Sequence, residues 1–196
     1  MKKDGIFMDV TGQFRPKKCV TNNKEYTMKK QGFTLIELMV VIVIMGILAA
    51  VAVPKLFGMI AKSKASEVGP AAGEYVKLEN AYITETAALG NYKTIGYEMA
   101  TTTNFDYTEI AANAAWTNGT TALPTGTTPV WKAKAKVALN DCDINSEWQL
   151  NATKLSTGSG VDYTGGIGDG GAATIGTYAA DCAPLTASFK TIADNN

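Results

Sequence analysis

The chain has 196 residues, 46% of them hydrophobic, with 18 basic and 18 acidic side chains. That is enough apolar material for one domain with a sizeable core. It has no histidine and no Gly-x-Ser-x-Gly spacing, so the commonest general base, the commonest transition-metal ligand and the nucleophile elbow are all missing, and no enzyme is expected.

Charge is unevenly spread along the chain. Residues 1–32 carry eight basic and three acidic side chains, a net +5, and the remainder carries a net −5. A basic segment ahead of an apolar run keeps the N-terminus cytoplasmic and sends the rest of the chain across the membrane. An exported part at net −5 is soluble, and no nucleic-acid partner is expected for it.

The apolar run is Phe33–Val53. At 1.5 Å per residue a helix of this length can cross the ~30 Å hydrocarbon core of a bilayer. Glu37 lies inside it, at a cost of roughly 2.5–3.5 kcal/mol near the centre of a membrane and less near its edge. A charge in such a segment marks a functional site with an expected partner. An ordinary anchor helix could carry Glu37 by snorkelling, helped by the helix dipole.

Lys29-Lys30-Gln31-Gly32 followed by Phe33-Thr34-Leu35-Ile36-Glu37-Leu38 resembles the processing site of type IV pilins and pseudopilins, a match running from Lys29 to about Lys64. The resemblance implies cleavage between Gly32 and Phe33 by a prepilin peptidase, followed by N-methylation of Phe33. It makes Glu37 the residue that pairs with a neighbouring subunit's N-terminal amine. It also places Gly46 and Pro54 where the filament helix loosens. A lone buried carboxylate would otherwise protonate. Pairing with an amine keeps it ionised and sets axial register between subunits.

Residues 1–27 mix charges without apolar periodicity and are set aside from fold reasoning. Met28 opens a short leader ending at Gly32, so a start at Met28 is preferred over a long leader from Met1.

One helix is predicted from Phe33 to about Thr86, close to 80 Å at full extension. Its first half is apolar all round, and Gly46, Ala49, Ala50 and Ala52 allow close helix packing. Pro54 predicts a kink or local unwinding. In the second half Val68, Ala72, Tyr75, Val76, Leu78 and Tyr82 supply a stripe for packing. Gly69-Pro70 predicts a bend or a restart.

Residues 87–129 read as a connector, with short strands or a small helix around Phe105–Trp116. The clearest strand signal is Val130–Leu139, where Trp131, Ala133, Ala135, Val137 and Leu139 alternate with Lys132, Lys134 and Lys136. Trp148, Leu150 and Ala152 share a face of a second strand, making an antiparallel hairpin. Ser156–Gly171 is Gly-rich and read as a flexible loop. A third strand is expected around Ala173–Ala179, and a fourth over Leu185–Ile192 with Leu185, Ala187 and Phe189 on one face. The lysine stripe is read as an exposed strand face that guards an edge. Trp116, Trp131 and Trp148 are read as packing residues.

With Cys19 in the removed leader, Cys142 and Cys182 remain outside the cytoplasm, where a disulfide is the expected state. Closing that loop is worth about 4 kcal/mol in the chain-entropy model. Asp162, Asp169 and Asp181 lie near the glycine loop and are the candidates for calcium, without a recognisable ligand spacing. No other cofactor is expected.

The expected architecture is α+β: a long N-terminal helix, transmembrane in its first half, packed against a small antiparallel sheet in the pilin manner. Its expected parts are a leader over 1–32, a membrane and filament-core half-helix over 33–54, an amphipathic half over 55–86, a connector over 87–129 and a disulfide-bearing head over 130–196. The resemblance implies a structural subunit held first in the inner membrane. Pilus or secretion machinery would then draw it into an extracellular helical homopolymer. Within that class the cysteine pair and the 164 residues after Gly32 favour a pilin over a type II secretion pseudopilin. A secreted soluble binding protein cut after Ala50-Val51-Ala52 is the remaining alternative, with Glu37 and Pro54 against it.

Overall fold

A computed structural model describes residues 32–98, 101–109 and 119–194, which fall into two units, one ending at Ile44 and one beginning at Met45. The leader, with Cys19 and Met28, lies outside the described residues, as do residues 110–118 with Trp116. The architecture is α+β, with a long N-terminal helical segment and small antiparallel sheets.

Helix α1 covers Leu35–Ala65 and continues through Gly46 and Pro54. Every residue from Gly32 to Phe57 is exposed, and burial on α1 begins only at Ala61 and Ala65. Two residues, Ser66 and Glu67, separate it from α2 (Val68–Thr86). The helix therefore restarts just ahead of Gly69-Pro70. Pro70 occupies the first turn, where its missing N–H would have had no helical partner. Ala87 ends α2 in the left-handed region at φ 55°, its N–H donating to the Ile83 carbonyl at 2.8 Å.

The buried stripe of α2 is Val68, Ala71, Ala72, Tyr75, Glu79 and Ile83, spaced as one helical face. Glu79 is the polar member. Its Oε1 accepts the Gly90 N–H at 2.8 Å, which ties α2 to the strand that follows.

The connector contains regular structure among its described residues. It holds β1 (Ala88–Gly90), α3 (Tyr92–Ile95), β2 (Phe105–Glu109) and β3 (Thr120–Ala122). β1 and β3 pair with each other, and β2 supplies an edge of the main sheet. That sheet is antiparallel throughout, in the order β2-β4-β5-β6, with β4 over Thr128–Ala135, β5 over Glu147–Lys154 and β6 over Val161–Ile167. The ladder between β4 and β5 shifts register between Pro129 and Trp131, so the proline that cannot donate sits at an irregularity.

Period two holds where the alternation predicts it. Trp131, Ala133 and Ala135 on β4 and Trp148, Leu150 and Ala152 on β5 are all fully buried. Phe105 and Tyr107 on β2 and Val161, Tyr163 and Ile167 on β6 complete this face. The lysines occupy the opposite face. Lys132 Nζ lies 3.3 Å from Glu147 Oε1, and Lys134 sits in register between Asp106 and Glu147. Lys136 Nζ donates to the Thr102 carbonyl at 3.1 Å.

Two expectations are corrected. The third strand is β6, inside the stretch read as a flexible glycine loop, and not Ala173–Ala179. Gly166 is part of the reason. A Cβ there would run into the Thr174 carbonyl, so glycine lets the chain after β6 lie directly on the sheet. Tyr178 pairs with Ile167 through an isolated parallel bridge, outside any named strand. The segment read as a fourth strand is instead a 3-10 turn (Ala183–Leu185) followed by helix α4 (Ala187–Asp194). Its buried residues are Thr186 and Phe189, three apart, with Ile192 packed behind them at the same interval. α4 lies against α2, where a Cβ on Gly69 would strike the Ser188 hydroxyl.

The core joins α2, α4 and the inner face of the sheet. Trp131 stacks on Phe189 with ring centroids 6.0 Å apart, and Phe105 meets Trp148 edge-on at 5.3 Å. Trp148 Nε1 donates to Thr186 Oγ1 at 2.7 Å, fixing the chain just ahead of α4 to β5.

Candidate assembly site

The first turn of α1 is built by Thr34 and Glu37. Thr34 precedes the helix and Glu37 lies three residues on, the spacing of a capping box. Glu37 Oε2 accepts the Thr34 backbone N–H at 2.8 Å and the Thr34 hydroxyl at 2.7 Å. The Glu37 N–H in turn donates to Thr34 Oγ1 at 3.3 Å. Donors that a helix start leaves unpaired are thereby satisfied. Both side-chain bonds end on Oε2, so Oε1 has lone pairs to offer a further partner. Reading Glu37 as a charge in an apolar run missed its capping role, although Thr-x-x-Glu ahead of an apolar stretch is legible in the sequence.

Gly32 and Phe33 lie just outside the helix, and Phe33 is 89% exposed. Leu35, Ile36, Leu38, Met39 and the aliphatic residues that follow are likewise exposed. This helical segment is long and apolar enough to cross a membrane. An uncovered apolar surface of this kind needs lipid or other helices around it.

The calcium candidates are not assembled into a site. Asp162 sits on β6 opposite Thr153, and Asp181 is an exposed turn residue beside Cys182. Asp169 follows β6, where its Oδ1 accepts the Asp143 N–H at 2.8 Å and lies 3.2 Å from the Ser146 hydroxyl. Among the described residues, one group of thiol and carboxylate atoms has a metal-like spacing: Cys142, Asp169 and Cys182, within 4.8 Å of one another. The two sulfurs are bonded to each other, with a Cα–Cα distance of 4.8 Å, and are not available as thiolate ligands. The donor set does not fit a metal.

Residues 27–53 match the prokaryotic N-terminal methylation motif. Fimbrial protein EcpC of Eikenella corrodens is 37% identical over 137 residues, covering 63% of this chain and 84% of that protein. The chain belongs to the type IV pilin family. Its relatives there are structural subunits and not enzymes. Two further relatives match this pilin-family chain over a shorter stretch. Type II secretion system core protein G of Escherichia coli (strain K12) is 53% identical over 55 residues, 28% of this chain and 36% of that protein. Type IV major fimbrial protein FimA of Dichelobacter nodosus is 51% identical over 45 residues, 23% of this chain and 29% of that protein. These two matches thus span about a third of each relative. No solved structure matches the chain.

Proposed function

We propose that the chain is the precursor of a pilus filament subunit. In this reading Phe33–Val53 holds the precursor in the inner membrane, and a prepilin peptidase cuts between Gly32 and Phe33. Phe33 is then N-methylated, and pilus machinery draws the subunit into an extracellular helical homopolymer. Apolar helices pack in the filament core, Gly46 and Pro54 give the helix local freedom, and Glu37 pairs with the Phe33 amine of a neighbouring copy. The observation that carries the reading is register: Gly32, Phe33 and Glu37 fall in order within the matched methylation motif, at the head of a helix whose apolar run to Val53 is exposed throughout.

A pseudopilin role is the second reading, supported by the 53% identity to the secretion core protein. That likeness covers 55 residues, about the length of the 52-residue helical segment. The likeness to EcpC covers 63% of the chain, more than residues 1–86 could hold, so it runs past the end of α2, which favours the fimbrial reading.

The deciding experiment is the mass of the N-terminal peptide and of the intact protein taken from the cell surface. A chain beginning at N-methyl-Phe33 is expected. A chain beginning at Val53 would overturn the proposal and mean a secreted soluble protein.

A further inference from the structure

Asp169 stands beside the disulfide in a position that the filament role does not use. Cys142 and Cys182 are fully buried, whereas Asp169 is exposed. Asp169 Oδ1 lies 3.5 Å from Cys182 Sγ, and the Ser146 hydroxyl oxygen lies at the same distance. A disulfide sulfur carries no hydrogen, so neither approach is a hydrogen bond donated by sulfur. The carboxylate is held there by other groups. Asp143 N–H donates to it, the Ser146 hydroxyl, which donates to the Asp143 carbonyl at 2.6 Å, lies 3.2 Å away, and Gly170 N–H donates to Ser146 Oγ at 2.9 Å. An exposed carboxylate is thus held beside the buried sulfur bridge.

We infer that Asp169 is an electrostatic guard that slows reduction of the Cys142–Cys182 bridge by thiols. Because both sulfurs are buried, reduction begins when a local opening lets a thiolate attack one of them. A new S–S bond forms to the reagent, the Cys142–Cys182 bond breaks, and the electron pair leaves on the other cysteine as thiolate. A dithiol completes the reaction by closing on itself. It leaves as a cyclic disulfide and supplies both electrons. Attack at Cys182 brings the incoming negative charge up to Asp169. Attack at Cys142 instead expels a thiolate on Cys182, beside the same carboxylate. Both routes gather like charge at a site too close for salt to screen well. A subunit working outside the cytoplasm would keep its bridge in the presence of thiols by this means.

The test measures the rate of bridge reduction in the detergent-solubilised full chain with three dithiols: dihydrolipoate (anionic), dithiothreitol (neutral) and dithiobutylamine (cationic). Each rate is corrected for the reagent's thiolate fraction. Asp169→Asn should accelerate dihydrolipoate most, by about tenfold for removal of a charge this close, dithiothreitol less and dithiobutylamine least. Asp169→Glu, which keeps the charge, should stay slow. Ser146→Ala keeps the charge but removes a hydroxyl beside it, so any effect of loosening alone should be equal across the three reagents. Equal acceleration by all three in Asp169→Asn, or no acceleration, overturns the inference.

Discussion

The Thr34 hydroxyl and the Glu37 carboxylate form a hydrogen bond of 2.7 Å, and the Thr34 backbone N–H reaches the same oxygen at 2.8 Å. The glutamate proposed to dock one subunit on another therefore also caps its own helix. These two duties can be separated by substitution. Glu37→Gln keeps an oxygen for the cap and removes the charge, whereas Glu37→Ala removes both.

Both variants are expected to be cleaved normally and to assemble poorly. A neighbour's buried amine left without its counter-charge costs about 3–5 kcal/mol. Filament yield and leader removal can be read from the same cells, by shearing and by precursor size. Wild-type amounts of filament from Glu37→Gln would mean that the cap, and not the charge, is what assembly needs.

The Cys142–Cys182 bridge closes a loop that contains β5 and β6, two of the four main strands. Replacing both cysteines by serine should lower stability by about 4 kcal/mol through the unfolded chain. The check is the urea midpoint of the double variant against wild type. A shift below about 1 kcal/mol would show that local packing around Ser146 and Asp169 holds these turns unaided.

Calcium should leave the melting temperature unchanged. Asp169 already holds the Asp143 N–H, and Asp162 and Asp181 are not gathered beside it. Scans with millimolar calcium and with chelator are the measurement. A rise with calcium would require the acidic turns to rearrange.

The parts of the fold legible in the sequence are those whose side chains carry the period themselves. Trp131, Ala133 and Ala135 alternate with lysines because one sheet face is dry and the other wet. β6 obeys the same rule over Val161–Thr164, but Gly165 and Gly166 follow where large side chains would announce it, and at Gly166 the Thr174 backbone leaves no room for one. In α4 the short run Leu185, Ala187, Phe189 fits period two as well as Thr186, Phe189, Ile192 fits a helix, and only packing against α2 separates the two. The methylation motif is legible because its residues are neighbours in sequence. The tie from Asp169 to Asp143 spans 26 residues and leaves no local pattern.

Tyr97 links helix and sheet. Its hydroxyl accepts from Trp131 Nε1 at 2.9 Å and donates to the Ala71 carbonyl at 3.1 Å. Tyr97→Phe should strand the buried indole N–H and cost about 1–3 kcal/mol. Trp131→Phe in the Tyr97→Phe background should then cost less than Trp131→Phe alone, because the indole has already lost its partner. Additive urea midpoints across that cycle would remove the hydrogen bond as the link.

Three phenols make the head sensitive to alkali. Burial pushes Tyr97, Tyr107 and Tyr163 well above the ordinary tyrosine range, with added repulsion from Glu67 at Tyr107 and from Glu79 at Tyr163. At Tyr97 the bond from Trp131 offsets part of that rise. Unfolded tyrosine ionises near about pH 10. The folded state resists ionisation beyond that point, so this part of the stability is complete below about pH 10 and is lost as pH climbs past it. Urea midpoints should stay level through neutral pH and fall steeply above about pH 10. Tyr163, whose hydroxyl donates to Asn80 Oδ1 at 3.3 Å, is the most buried of the three. Tyr163→Phe should lower the plateau but flatten the alkaline fall by up to about 1.4 kcal/mol per pH unit. An unchanged alkaline slope in that variant would show that the Tyr163 phenol is not what the fold protects from ionisation.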